Sequence, residues 1–244
     1  MIKIFADVEQ LNSFAAEKFV KIAAASIRAN ARFTVALSGG STPKSLFQSL
    51  ANGEYKNKVD WLKTFFFFGD ERNVPPDDAE SNFRMANENL FAPLQISGAN
   101  IFRWNTELKD AEKIAEDYGK SIKALFALSN NELPEFDLIL LGMGDDGHTA
   151  SLFPFTEALG ETEKIAVANP VEKLETTRLT LTFPVINNAR NVIFLIKGAD
   201  KAEVLREVTQ GAPQPDKFPA QLVKPVNGEL FWLVDAPAAA LLDG

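Results

Sequence analysis

Short apolar runs alternate along the chain with longer segments in which apolar residues recur every three or four positions. Phe33 to Leu37, Thr64 to Phe68, Phe136 to Leu141, Arg178 to Thr182, Val192 to Ile196 and Leu230 to Val234 are too short for helices and rich in β-branched, leucine and aromatic residues, so they read as strands. Between them the helical period takes over. Asp7 and Gln10 form a capping pair ahead of Leu11, Phe14, Ala15, Ile22, Ala23 and Ile27. Thr42 as N-cap and Pro43 as first helical residue open a helix through Leu46, Phe47 and Leu50. Ser81 caps a helix through Leu90, and Ala111, Ile114, Ala115, Tyr118, Ile122, Leu125 and Phe126 mark one face of a long amphipathic helix. Ala199 to Thr209 completes the set. This alternation predicts an α/β protein, a three-layer α/β/α arrangement on a mainly parallel, Rossmann-like central sheet.

Length fits one domain over residues 1–244, because a chain of this size buries about three quarters of its unfolded surface and no linker or repeat divides it. There is no cysteine and one histidine, which removes disulfides and the usual thiolate and imidazole metal sites and leaves a carboxylate Mg²⁺ site as the open alternative. Met1 to Phe5 lacks a signal-peptide core, and no apolar run is long enough to span a bilayer, so the expectation is a soluble, cytoplasmic protein. A formal net charge of −8 argues against nucleic acid or an anionic membrane as partner. A small molecule fits better, taken by a monomer or small homo-oligomer.

The chemistry concentrates where the strands end. The lone histidine stands in Gly142-Met143-Gly144-Asp145-Asp146-Gly147-His148, directly after a buried strand, where open α/β sheets bind ligands. The glycines, Gly144 among them, allow a backbone to approach a ligand, and Asp145 or Asp146 is near enough to fix the tautomer of His148. Ser38, Gly39, Gly40, Ser41 and Thr42 offer amides and hydroxyls at a helix mouth, a pattern suited to an anion but equally to a tight turn. Ser38 lacks the glycine context of a hydrolase nucleophile, since Ala36 stands where that elbow needs glycine. Asp70 and Arg72 emerge after a strand too hydrophobic for the surface, Asp70 as an acceptor for sugar hydroxyls and Arg72 as a phosphate fork, unless Arg72 is tied to Glu71 or to Asp77 and Asp78. Lys201 in a first helical turn opposes the helix dipole, which suggests service to an anion, and Arg178 is a third cation of the same kind.

The stretches LSGGSTP, FFFGDERNVP with Ser81-Asn82, GMGDDGHTASLFP, RLTLTFPVI and Gly198-x-x-Lys201 occur together and in one order, and they resemble the 6-phosphogluconolactonase family. The resemblance implies a fold like that of glucosamine-6-phosphate deaminase and ribose-5-phosphate isomerase. It implies hydrolysis of 6-phospho-D-glucono-1,5-lactone in the oxidative pentose phosphate pathway, with His148 as the base that activates water, Arg72 and Lys201 on the phosphate, and no metal or cofactor required, since a lactone is already an activated ester. Arg178 matches the arginine opening RLTLT, with no role assigned. The related deaminases carry glutamate five residues beyond the histidine, where this chain has Phe153, so deamination or isomerisation is the secondary reading. A sugar-phosphate sensor is another, although no basic helix-turn-helix accompanies the sheet motifs.

Overall fold

The computed structural model describes residues 1–129 and 131–243. The chain opens with β1 (Ile2–Phe5), α1 (Val8–Asn30), β2 (Phe33–Leu37), α2 (Ser41–Ala51) and β3 (Thr64–Phe68). Next come β4 (Asp70–Arg72), the short helices α3 (Asn82–Ala86) and α4 (Ala92–Leu94), and the long α5 (Ala111–Phe126). The remainder carries β5 (Leu138–Leu141), β6 (Ala166–Val171), β7 (Thr176–Leu181), α6 (Phe183–Asn187), β8 (Asn191–Ile196), α7 (Ala202–Thr209) and β9 (Glu229–Asp235).

Six strands form a sheet in the order β1-β9-β8-β5-β2-β3, and every pairing in it is parallel. Its middle strands β2 and β5 are buried at every position, as strands covered by helices on both faces must be, and the whole is a three-layer α/β/α fold. Val35 lies opposite Leu138 and Ala36 opposite Ile139, so β2 and β5 are neighbours. From β2 the chain steps outward to β3, whereas from β5 it steps the other way, to β8 and β9. The winding therefore reverses between β2 and β5, which leaves a crevice beyond their C-terminal ends. Residues 38–43 follow β2 and residues 142–148 follow β5, so both glycine-rich loops begin at that crevice.

The four phenylalanines of β3 stand at the sheet's edge, yet three of them are buried because residues 101–102 close that edge. Phe102 donates its N–H to the Phe66 carbonyl (2.8 Å), and its ring stacks on Phe67 at 4.7 Å. Phe136 meets Phe67 edge-on at 5.1 Å, joining β3 to the segment that leads into β5. This aromatic packing anchors the two strands that flank β2, and with them the crevice.

Several elements depart from the sequence reading. Residues 178–181 belong not to the parallel sheet but to a second, antiparallel sheet of order β4-β7-β6, and Thr182 lies beyond its end, just before α6. In that sheet β7 begins at Thr176, and Asp70 to Arg72 continue as β4. The strand β6 carries Asn169 and Pro170, which mask a strand signal, and proline is tolerated because β6 is an edge strand. Thr42 is not the N-cap of α2. The helix starts at Ser41 with Gly40 as cap, because Gly40 adopts φ +102°, a left-handed conformation open to glycine, and Thr42 is buried inside the first turn. Ser81 does cap α3, accepting from the Arg84 N–H (3.2 Å). That helix then runs beyond Leu90 through a π-helical turn, Asn87–Phe91, into α4, and the extra residue lets Leu90 and Phe91 both turn inward. A 3₁₀ turn, Ala199–Lys201, precedes α7.

Candidate active site

A cavity of about 830 Å³ occupies the crevice, and its wall includes Ser38, Gly39, Gly40, Ser41, Thr42, Asp70, Arg72, Gly144, Asp146, His148, Arg178 and Lys201. The residues singled out from the sequence thus converge on one space. They arrive from four directions: the β2 loop, the β5 loop, the antiparallel sheet, and the turn before α7.

On the β5 loop, Asp146 rather than Asp145 meets the imidazole: its Oδ1 lies 2.6 Å from His148 Nδ1 and accepts the His148 backbone N–H at 3.1 Å. A carboxylate on Nδ1 assigns the proton to that nitrogen and leaves Nε2 unprotonated. The geometry needs a glycine beneath the ring, because a Cβ on Gly144 would fall 2.1 Å from His148 Nδ1. Above, the Phe153 ring stacks on the imidazole with centroids 4.1 Å apart. Burial therefore lowers the His148 pKa from 6.5 to about 4. Lys201 and Arg178 act in the same sense, while Asp70 and Asp145 oppose them. A ring held in this way is a neutral base at physiological pH.

Other parts of the lining are suited to an anion. Among the described residues, none accepts a hydrogen bond from the amides of Gly39, Gly40, Ser41 or Thr42, which stand at the N-terminus of an eleven-residue helix. Arg72 and Arg178 lie directly opposite each other across β4 and β7. Like charges at such a position cost stability unless a counter-charge lies between them. Burial and the neighbouring Arg72 lower the Arg178 pKa, and its Nε is buried without a hydrogen-bond partner among the described residues. Glu71 accepts the Arg72 backbone N–H (2.8 Å) but does not tie its guanidinium, whose Nη1 donates to the Glu80 carbonyl. Glu71 instead accepts the N–H groups of Asn82 (2.7 Å) and Phe83 (2.8 Å) at the start of α3, and burial raises its pKa. The Lys201 side chain is mostly covered, with Asp200 Oδ2 3.4 Å from its Nζ.

Asp70 is held on both oxygens, accepting the Ser151 hydroxyl (2.7 Å) on Oδ2 and Asn82 Nδ2 (3.3 Å) on Oδ1. Ser38 donates its hydroxyl to the Gly39 carbonyl (3.3 Å) and has no histidine on it, in keeping with a loop residue. Within residues 142–147 two amides are already engaged: Gly144 donates to the His148 carbonyl and Gly147 to the Gly144 carbonyl.

Sequence reasoning missed four contributors. Asn82 approaches Gly39 so closely that a Cβ there would fall 2.0 Å from Asn82 Oδ1, which explains the glycine. Phe153 was noticed only for the glutamate it replaces. Asp235, at the end of β9, accepts the Gly198 N–H (3.0 Å) and so fixes the turn that carries Lys201; an aspartate closing a buried strand was a usable signal. Lys173 sits on the 3₁₀ turn Glu172–Leu174 between β6 and β7 and reaches the second oxygen of Asp146. Nothing in that polar stretch announces it.

A sequence model of the family described as glucosamine-6-phosphate isomerases/6-phosphogluconolactonase matches residues 6–232. The chain is 44% identical over 206 residues to a 6-phosphogluconolactonase of Synechocystis sp., an overlap covering 84% of this chain and 82% of that protein. The solved structure of a 6-phosphogluconolactonase from Trypanosoma brucei superposes with a TM-score of 0.89 at 32% identity, covering 100% of this chain and 98% of the other. A monomeric glucosamine-6-phosphate deaminase shares the fold, at a TM-score of 0.81 and 21% identity over 98% of this chain and 99% of that one. With the family match running through both glycine loops, the antiparallel sheet and the Lys201 turn, the chain belongs to the glucosamine-6-phosphate isomerase/6-phosphogluconolactonase family.

Proposed function

We propose that this chain hydrolyses 6-phospho-D-glucono-1,5-lactone to 6-phospho-D-gluconate, with His148 activating the attacking water. The observation that carries the proposal is the shared cavity, whose lining holds a neutral imidazole together with Arg72, Arg178, Lys201 and the α2 N-terminus. The phosphate takes the cationic part of that lining, where charge-assisted bonds to guanidinium and ammonium offset the repulsion of an acidic protein. The lactone carbonyl then lies toward His148. Nε2 takes a proton from water as the water oxygen bonds to the carbonyl carbon, giving a tetrahedral oxyanion. That intermediate collapses by breaking the bond to the ring oxygen, which receives the proton from Nε2. Asp146 keeps Nδ1 protonated throughout and so keeps Nε2 as the working nitrogen.

Deamination is the weaker reading. The position that would carry a glutamate is Phe153, whose ring covers the imidazole and brings no proton acceptor. The test is a pH-stat assay of acid release from fresh 6-phosphogluconolactone, measured against the spontaneous rate and against unphosphorylated gluconolactone. Catalysis that prefers the phosphorylated lactone is expected. Release of ammonia from glucosamine 6-phosphate without lactone hydrolysis would overturn the assignment.

A further inference from the structure

A closed circuit of four side chains surrounds the imidazole. His148 Nδ1 meets Asp146 Oδ1, Asp146 Oδ2 meets Lys173 Nζ, the Lys173 ammonium lies 5.1 Å from the centre of the Phe153 ring, and that ring stacks on His148. Three of the four sit within residues 146–153, whereas Lys173 comes from the hairpin between β6 and β7. It is half exposed, and an ion pair in that setting ordinarily contributes little to stability. Its partner is not an ordinary surface carboxylate, because Asp146 is largely covered and its other oxygen holds the catalytic ring.

We infer that Lys173 is a positioning residue: by holding the second oxygen of Asp146 it fixes that carboxylate on Nδ1 and offsets its charge, so that the imidazole stays a neutral base with Nε2 free. A lone carboxylate on an imidazole favours the imidazolium, which cannot act as a base. Shared with an ammonium, the same carboxylate still orients the ring but no longer draws a second proton onto it. The other charges facing His148 are Asp145 on its own loop, Asp70 on β4, Arg178 on β7 and Lys201 before α7, two acidic and two basic. With Asp146 the acidic groups outnumber the basic by one, and Lys173 restores the balance. The cation–π contact with Phe153 aligns the ammonium from the other side and couples the hairpin to the ring stack.

The kinetic part rests on the lactonase reading; the spectroscopic part does not. With one histidine in the chain, the ¹⁵N-coupled ring signals of His148 need no assignment, and they report both its titration midpoint and which nitrogen is protonated. In Lys173→Met the midpoint should rise by about one pH unit and the tautomers should mix, as expected when a neighbouring cation is lost. The acid limb of kcat/KM should move with it, kcat at neutral pH should fall by about tenfold, the size of one charge-assisted hydrogen bond, and KM should hold. Lys173→Arg should restore all three. Lys173→Gln serves in place of Met should the latter not fold. An unchanged midpoint and tautomer in a folded Lys173→Met protein would overturn the inference, as would an arginine variant that behaves like Met. A wild-type protein without lactonase activity would instead sink the functional reading, and the ring signals would still decide the role of Lys173.

Discussion

The parallel sheet and the antiparallel sheet bring different things to the same cavity. From the C-terminal ends of parallel strands come His148 and Asp146 after β5 and the amide-lined loop after β2, at the crevice where the winding reverses and where open α/β sheets bind ligands. From the small antiparallel sheet come Arg72 and Arg178, paired across two strands, and Lys173 from its hairpin. The large sheet thus brings the imidazole, a helix N-terminus and Lys201, and the small one brings a guanidinium pair and the lysine that reaches Asp146. Under the proposed function the imidazole of the large sheet serves chemistry and the guanidinium pair of the small sheet serves recognition, and substitutions at these two places should separate kinetically.

Substitution of the base gives the largest expected effect. His148→Ala should lower kcat by about 10²–10⁴-fold, the usual contribution of a positioned general base, while affinity for 6-phosphogluconate stays near normal. A drop confined to KM would break the division between the sheets. Next is a linkage effect of the same ring. His148 has its pKa lowered from 6.5 to about 4, so the unfolded chain binds a proton that the folded one refuses. Its stabilising contribution is complete above pH 6.5 and is lost as pH falls toward 4, by up to about 3 kcal/mol. In denaturant melts the stability of wild type relative to His148→Gln should fall by up to that amount as pH drops from 6.5 to 4 and stay constant above 6.5, and a gap constant over the whole range would show that burial does not govern the ring.

On the recognition side, Arg178→Ala should raise KM for the phosphorylated lactone by about 10- to 100-fold, as expected for loss of a charge-assisted bond, with kcat within a few-fold of wild type. The same substitution should leave folding intact or improve it, because it removes a like-charge pair. A collapse of kcat would place Arg178 with the chemistry. The smallest effect concerns the β2 loop: Gly40→Ala forces a side chain into φ +102° and should cost about 1 kcal/mol of stability in a thermal melt. No loss would mean that the loop relaxes without disturbing α2.

The same comparison explains what the sequence disclosed. Every strand read by its apolar run from β2 through β9 in the parallel sheet was legible, because burial on both faces writes a continuous hydrophobic segment such as Leu138 to Leu141. The first strand, β1, escaped because half of it faces outward at the edge of the sheet. The antiparallel sheet was illegible as a sheet. Its strands are short or broken by polar residues, as in Asp70-Glu71-Arg72 and Ala166-Val167-Ala168-Asn169-Pro170-Val171, and the pairing of Asp70 with Thr180, far apart in the chain, leaves no local trace. Arg72 and Arg178 were found as candidates through charge after an apolar run, but their register against each other was not. Lys173 had no signal at all, since its partner Asp146 is brought to it only by the fold.

The measurement that bears most directly on two sheets sharing one site is the ratio of kcat/KM for 6-phosphogluconolactone over unphosphorylated gluconolactone, in wild type and in the Arg72→Ala, Arg178→Ala double variant. The account predicts a strong preference in wild type that nearly vanishes in the double variant, with turnover of the unphosphorylated lactone retained and still dependent on His148. A double variant that keeps the full preference would contradict it.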